Sequence, residues 1–153
     1  MSNDYRPRGM CFEEFQPGTE VVTQRRTITE ADIVNFAGLS GDFNPIHTDA
    51  EFAKTTPFGE RIAHGVLGLA VATGLGNQLG FLDGTALAFT GLEWKFKGPI
   101  KIGDTIRMTG KVKQTKAMRA LGGGFVIFDV RVLNQRDEVV QQGEWTVLVK
   151  SKT

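Results

Sequence analysis

Asp42 and His47 stand five positions apart in "SGDFNPIHTD", residues 40 to 49, with Asn44 and Pro45 between them. The chain has only two histidines, His47 and His64, so one of them beside an acid in so short a stretch asks for an explanation. A carboxylate and an imidazole that face one water can orient it and move its protons. Imidazole titrates near neutrality, and a positioned acid–base group contributes about 10²–10⁴-fold to a rate. No serine or cysteine sits in a GxSxG elbow, which favours chemistry on a bound water over an acyl-enzyme. A structural reading stands beside this one. Aspartate is a common turn residue and Asn-Pro a common turn dipeptide.

A second group of interest is "RIAHGVLGLAVAT", Arg61 to Thr73. Backbone N–H groups in the first turn of a helix lack an intrahelical partner and carry partial positive charge. A glycine there, Gly65, lets a carbonyl oxygen come close and be polarised, the logic of an oxyanion hole. An activated water plus a polarised carbonyl suits addition across a conjugated double bond, because the enolate has somewhere to place its charge. His64 also fits a plainer role, bonding backbone at a helix start. Two histidines without an acid at ligand spacing argue against a metal. "LGGGF" (Leu121 to Phe125) lacks the G-K-[ST] ending of a phosphate loop and reads as a turn.

The elements that would position these groups follow from periodicity. "TEADIVNFAGLSG" predicts a helix capped by Thr29 with Asp32 at its third position, closed by Gly38 and Gly41. Thr48 to Glu51 matches a second capping box, and Pro45 keeps Asn44 out of helical dihedrals. The apolar run from His64 predicts a helix buried around most of its circumference. Its repeated glycines (65, 68, 74, 76 and 80) weaken a free helix and imply that a sheet, another helix or a ligand approaches closely. A short strand, "EVVTQRRTI", precedes the first helix, and from Thr85 onward alternation predicts three to four long strands joined by short turns. Leu92, Trp94 and Phe96 share one face of the first of these. The expectation is an α+β domain, one helix lying across an antiparallel sheet. It spans residues 10–153 after a loose arm at 1–9.

Bulk properties narrow the classes. With 41% hydrophobic and 23% charged positions in 153 residues, the chain reads as one globular domain able to bury its own core. Its single cysteine, Cys11, excludes an internal disulfide and any cysteine-based zinc cluster. Eighteen basic against seventeen acidic side chains, unclustered, argue against a nucleic-acid partner. "GVLGLAVATGLG" is too short for a bilayer, and no signal peptide is visible. A cytoplasmic protein without membrane association is expected.

Residues 36 to 67, "FAGLSGDFNPIHTDAEFAKTTPFGERIAHGVL", closely resemble the signature of the MaoC-like dehydratases and (R)-specific enoyl-CoA hydratases. The shared residues are Gly41, Asp42, Asn44, Pro45, His47, Ala63, His64 and Gly65. The order of elements also agrees with that family's hotdog fold, a long central helix wrapped by a curved antiparallel sheet. The resemblance implies a hydro-lyase that adds water reversibly to a trans-2-enoyl-CoA, giving an (R)-3-hydroxyacyl-CoA. It implies no cofactor, with CoA entering as part of the substrate. By carry-over Asp42 and His47 hold and activate the water, either of them as base. The Gly65 N–H polarises the thioester carbonyl, Asn44 holds the loop, and His64 supports the site. Thr73 falls where the family places a hydroxyl near the active-site imidazole. The family usually works as dimers with the substrate tunnel at the interface. Lys95, Lys97 and Lys101 fit either a CoA phosphate or a solvated strand face. The rival functions are a hotdog thioesterase and a non-catalytic acyl-CoA-binding subunit.

Overall fold

The computed structural model describes residues 8–152. Most of the expected loose arm, residues 1–7, lies outside the described residues. Arg8 and Gly9 are tied down: the Arg8 Nε–H donates to the Asp83 carboxylate at 3.0 Å and the Gly9 N–H to the Asp83 carbonyl at 2.9 Å.

Four long antiparallel strands follow the helices as the alternation predicts: β3 (Ala86–Phe96), β4 (Thr105–Met118), β5 (Gly123–Leu133) and β6 (Val139–Lys150). With β1 (Glu20–Val22) they form a sheet in the order β1-β4-β5-β6-β3, and β2 (Arg26–Thr27) also pairs with β4. The expected single strand before the first helix is thus broken between β1 and β2. Thr23 explains the break, because its hydroxyl accepts the Met108 N–H at 2.9 Å and itself donates to the Gln24 carbonyl. A side chain has taken a ladder bond, and the backbone turns away.

Helix α1 (Glu30–Ser40) starts with the expected capping box, Thr29 and Asp32 each accepting the other's backbone N–H. It ends at Gly41, whose φ of 75° few other residues adopt. Gly38 does not close the helix but lies inside it. Two short helices follow, α2 (Pro45–Thr48) and α3 (Ala50–Lys54). The cap of α3 is Asp49, not Thr48: the Asp49 carboxylate accepts the Glu51 and Phe52 N–H groups, while the Thr48 hydroxyl donates back to the Phe43 and Asn44 carbonyls. A carboxylate at a helix start carries the charge that the dipole favours.

The central helix, α4 (Gly65–Gln78), crosses the sheet with Leu67, Val71, Ala72 and Leu75 buried against it. Its glycines answer to the sheet. A Cβ at Gly68 would lie 2.4 Å from Gln141 Nε2, and one at Gly76 would lie 3.2 Å from Met108 Cε. Ile106, Met108, Gly110 and Val112 of β4 face inward, as their alternation predicts. Burial around most of α4 is not found. Val66, Ala70, Thr73, Gly74 and Asn77 line an exposed face. Strand β3 is likewise open: Leu92 and Phe96 are exposed, and Trp94 is half-buried. No helix among the described residues is long and apolar enough to cross a membrane.

Candidate active site

The sharp turn between α1 and α2 builds the site. The Asp42 carboxylate accepts the Asn44 N–H at 3.1 Å, and the Asn44 side chain accepts the Ile46 N–H at 3.2 Å, capping α2. Pro45 occupies the first helical position, where its missing N–H costs nothing. One turn of helix therefore fixes the direction of His47. Asn44 thus holds the loop.

His47 Nδ1 lies 2.8 Å from the Ile62 carbonyl. A carbonyl only accepts, so Nδ1 carries the hydrogen, and neutral His47 presents a lone pair at Nε2. That Nε2 lies 4.0 Å from the Asp42 carboxylate. The gap is too wide for a direct hydrogen bond and suits one water bonded to both. His47 is mostly shielded, whereas the Asp42 side chain is 51% exposed, so the pair has a protein side and an open side.

His64 lies beneath both. Its ring stacks on His47 with centroids 3.8 Å apart, and its Nε2–H donates to the Asp42 carbonyl at 2.9 Å. Phe36 closes the other side at 4.9 Å. One buried ring thus touches the imidazole above and ties the backbone of the acid. Its Nδ1 is buried without a hydrogen-bond partner. Against the sequence expectation, Asp42, His47 and His64 bring ligand-type atoms within 4.8 Å of one another. His47 Nδ1 and His64 Nε2 are spent on carbonyls, which leaves His47 Nε2, His64 Nδ1 and the Asp42 carboxylate as the free donors.

Gly65 begins α4 directly after His64. Neither its N–H nor that of Val66 donates to any protein acceptor among the described residues. Both residues line a hollow of about 550 Å³ that His47 shares with Phe58, Ile62 and Phe96. A Cβ at Gly65 would meet the exposed Phe96 ring at 2.7 Å, so only a movable side chain stands against one there. Thr73 is not brought to this site within the chain. It sits roughly 12 Å further along α4, its hydroxyl donates to the Ala70 carbonyl, and it lines a different, apolar hollow. Of the three lysines, Lys97 lines the His47 hollow. Lys101 is engaged by Glu60 and the Phe58 carbonyl, and Lys95 lines a groove elsewhere.

Sequence reasoning missed Gln141, which is only 2% exposed and donates from Nε2 to the Gly65 carbonyl at 2.9 Å. The signal was present. Gln141 shares its strand phase with the buried Trp145, Val147 and Val149, and a polar residue in a core phase needs partners.

A long helix across a curved antiparallel sheet, with an imidazole and an unpaired helix start on one hollow and an acid beside that imidazole, defines a hotdog domain of the hydratase/dehydratase class. The family model described as "MaoC like domain" matches residues 14–126, and the chain belongs to that family. An (R)-specific enoyl-CoA hydratase of Rhodospirillum rubrum is 36% identical, over 92% of this chain and 92% of its own length. Protein MaoC of Klebsiella aerogenes is 46% identical over 71% of this chain, which spans only 33% of that protein. Among solved structures, a monoamine oxidase regulatory protein from Archaeoglobus aligns with a TM-score of 0.89 at 37% identity, covering 95% of this chain and 97% of that one. An unliganded R-hydratase from Pseudomonas aeruginosa aligns at 0.79 and 31%, covering 94% and 88%.

Proposed function

We propose that the chain hydrates a trans-2-enoyl thioester of CoA reversibly, giving an (R)-3-hydroxyacyl-CoA. The observation that carries this reading is the 4.0 Å gap between His47 Nε2 and the Asp42 carboxylate, with His47 lining the same hollow as Gly65. A water in the gap donates one hydrogen to Asp42 and the other to the Nε2 lone pair. As its oxygen bonds to C3, the C2=C3 electron pair moves toward the thioester oxygen, and the water's proton passes to His47. The Gly65 N–H stabilises the enolate. Return of a proton to C2 completes the addition, and no covalent enzyme intermediate forms. The walls of Phe58, Ile62 and Phe96 suit an apolar acyl group, and the charge of Lys97, which lines the same hollow, supports a contact to a CoA phosphate.

The working form is a homodimer. The exposed face of α4 and the apolar edge strand β3, with Leu87, Phe89, Leu92 and Phe96 exposed, are surfaces that an isolated chain leaves open to unwanted pairing. A second copy covers them. The relatives named as hydratases and dehydratases support the reaction.

Mixing the protein with crotonyl-CoA should remove the absorbance of the conjugated enoyl thioester and yield the R product. Release of free thiol without loss of the double bond would instead assign a thioesterase. Binding with neither change would assign a non-catalytic acyl-CoA carrier.

A further inference from the structure

Gln141 of β6 spends both ends of its amide on the site. Its Oε1 accepts the Trp94 indole N–H at 3.0 Å, and its Nε2 donates to the Gly65 carbonyl at 2.9 Å. The strand register explains the first bond. Trp94 opposes Gly143 and Phe96 opposes Gln141, so Trp94 and Gln141 are diagonal neighbours across β3 and β6. An indole N–H only donates, and it therefore fixes which end of the amide faces the helix. If the amide turned over, two oxygens would confront each other at Gly65. Gly68 completes the fit, because a Cβ there would lie 2.4 Å from Nε2. The first turn of α4 rests directly on this amide.

A buried glutamine among apolar strand neighbours is costly unless both ends are bonded, and an aliphatic residue would fill the place without that demand. The bonded amide acts on the residue that most needs fixing. Glycine has the widest backbone freedom, and Gly65 supplies the N–H on which the proposed hydration depends. Holding the Gly65 carbonyl sets the plane of the 65–66 peptide. It thereby sets the direction of the unpaired Val66 N–H, which that peptide carries, and restrains Gly65, whose own N–H lies one peptide earlier at the rim of the same hollow. The accepted bond also polarises the peptide that carries the Val66 N–H, which strengthens that donor.

We infer that Gln141, oriented by Trp94, is a positioning residue that aims the start of α4 at the thioester oxygen. The inference rests on the proposed hydratase reading. Two variants separate its parts: Gln141→Met keeps side-chain length without the amide, and Trp94→Phe keeps a ring without the donor. Each is assayed for kcat and KM with crotonyl-CoA, for thermal midpoint, and for the absorption of bound 2,4-hexadienoyl-CoA. That chromophore moves to longer wavelength as its carbonyl is polarised, which a purely structural glutamine would not affect. Gln141→Met should lower kcat by about ten- to a hundredfold, with KM changed far less, because the loss falls on transition-state charge. The absorption shift should shrink with it. Trp94→Phe, which leaves the amide free to turn, should show the same pattern more weakly, and it carries the test if Gln141→Met does not fold. A folded variant of either kind with wild-type kcat and a full shift overturns the inference and leaves the hydratase reading intact. A wild-type protein that neither hydrates crotonyl-CoA nor shifts the chromophore overturns both.

Discussion

Replacing His64 with phenylalanine should separate stability from activity. The substitution removes the Nε2–H bond to the Asp42 carbonyl, a net loss of about 1 kcal/mol. It also removes Nδ1, which is buried without a partner and whose desolvation costs about 1–3 kcal/mol. The larger ring must fit between His47 at 3.8 Å and Phe36 at 4.9 Å, and overpacking of that kind costs about 1–3 kcal/mol. The gain and the losses largely cancel. Asp42 is exposed, so water can satisfy its freed carbonyl. Urea unfolding of His64→Phe should therefore give a stability between about 1 kcal/mol above and about 3 kcal/mol below wild type, the range those opposing terms span. Crotonyl-CoA hydration should nevertheless fall about tenfold or more, since a loosened acid no longer faces His47 across one water. The stacked ring survives, so the loss reports the tether alone. Wild-type kcat in the folded variant would refute the claim that His64 aims Asp42. A stability loss well beyond that range would show that Nδ1 has a partner.

Two further outcomes follow from other parts of the fold. Gly65→Ala should fold normally, because α4 starts with an ordinary helical φ there and the 56%-exposed Phe96 ring can swing aside. The added methyl crowds the free N–H, and kcat/KM should fall about tenfold or more in steady-state hydration; unchanged turnover would remove Gly65 from the site. The second outcome concerns pH. The Cys11 N–H and Lys152 hold the Glu14 carboxyl below its ordinary value, and the Lys152 N–H does the same for Glu13. A lowered folded pKa gives stability that is present above the unfolded value and lost as pH falls through the folded one. Hydrogen-exchange protection of the Lys152 N–H should accordingly decline as pH drops below the ordinary carboxyl range, and constant protection there would contradict the clasp.

The turn that carries Asp42 and His47 was legible because its instructions are local. Gly41, Asn44 and Pro45 each dictate a backbone choice within a few residues, and together they aim Asp42 and His47. Local rules failed where two caps competed. Thr48 fits a capping box by spacing, but the neighbouring Asp49 offers a charged acceptor to the same amides. Strand alternation was equally reliable for β4 and for β3, where Leu92, Trp94 and Phe96 share one face of an unbroken register, but it did not tell how far that face is buried. Leu92 and Phe96 alternate as core residues do, yet in one chain they are exposed, because a pattern says that a face is apolar and not what covers it. Thr73 and the open side of α4 carry the same ambiguity. Gln141 is a different case. Its partners, Trp94 and Gly65, are 47 and 76 positions away, and only the sheet register and the helix crossing bring them together.

The measurement that bears most directly on the central claim is crotonyl-CoA hydration by Asp42→Asn and His47→Gln, each checked for wild-type folding by its thermal midpoint. Asparagine keeps an acceptor for the Asn44 N–H, so the turn should survive while the carboxylate is lost. Each variant should lose about 10²–10⁴-fold or more in kcat while still binding the thioester. Near-wild-type turnover in either folded variant would contradict the assignment of the water to Asp42 and His47.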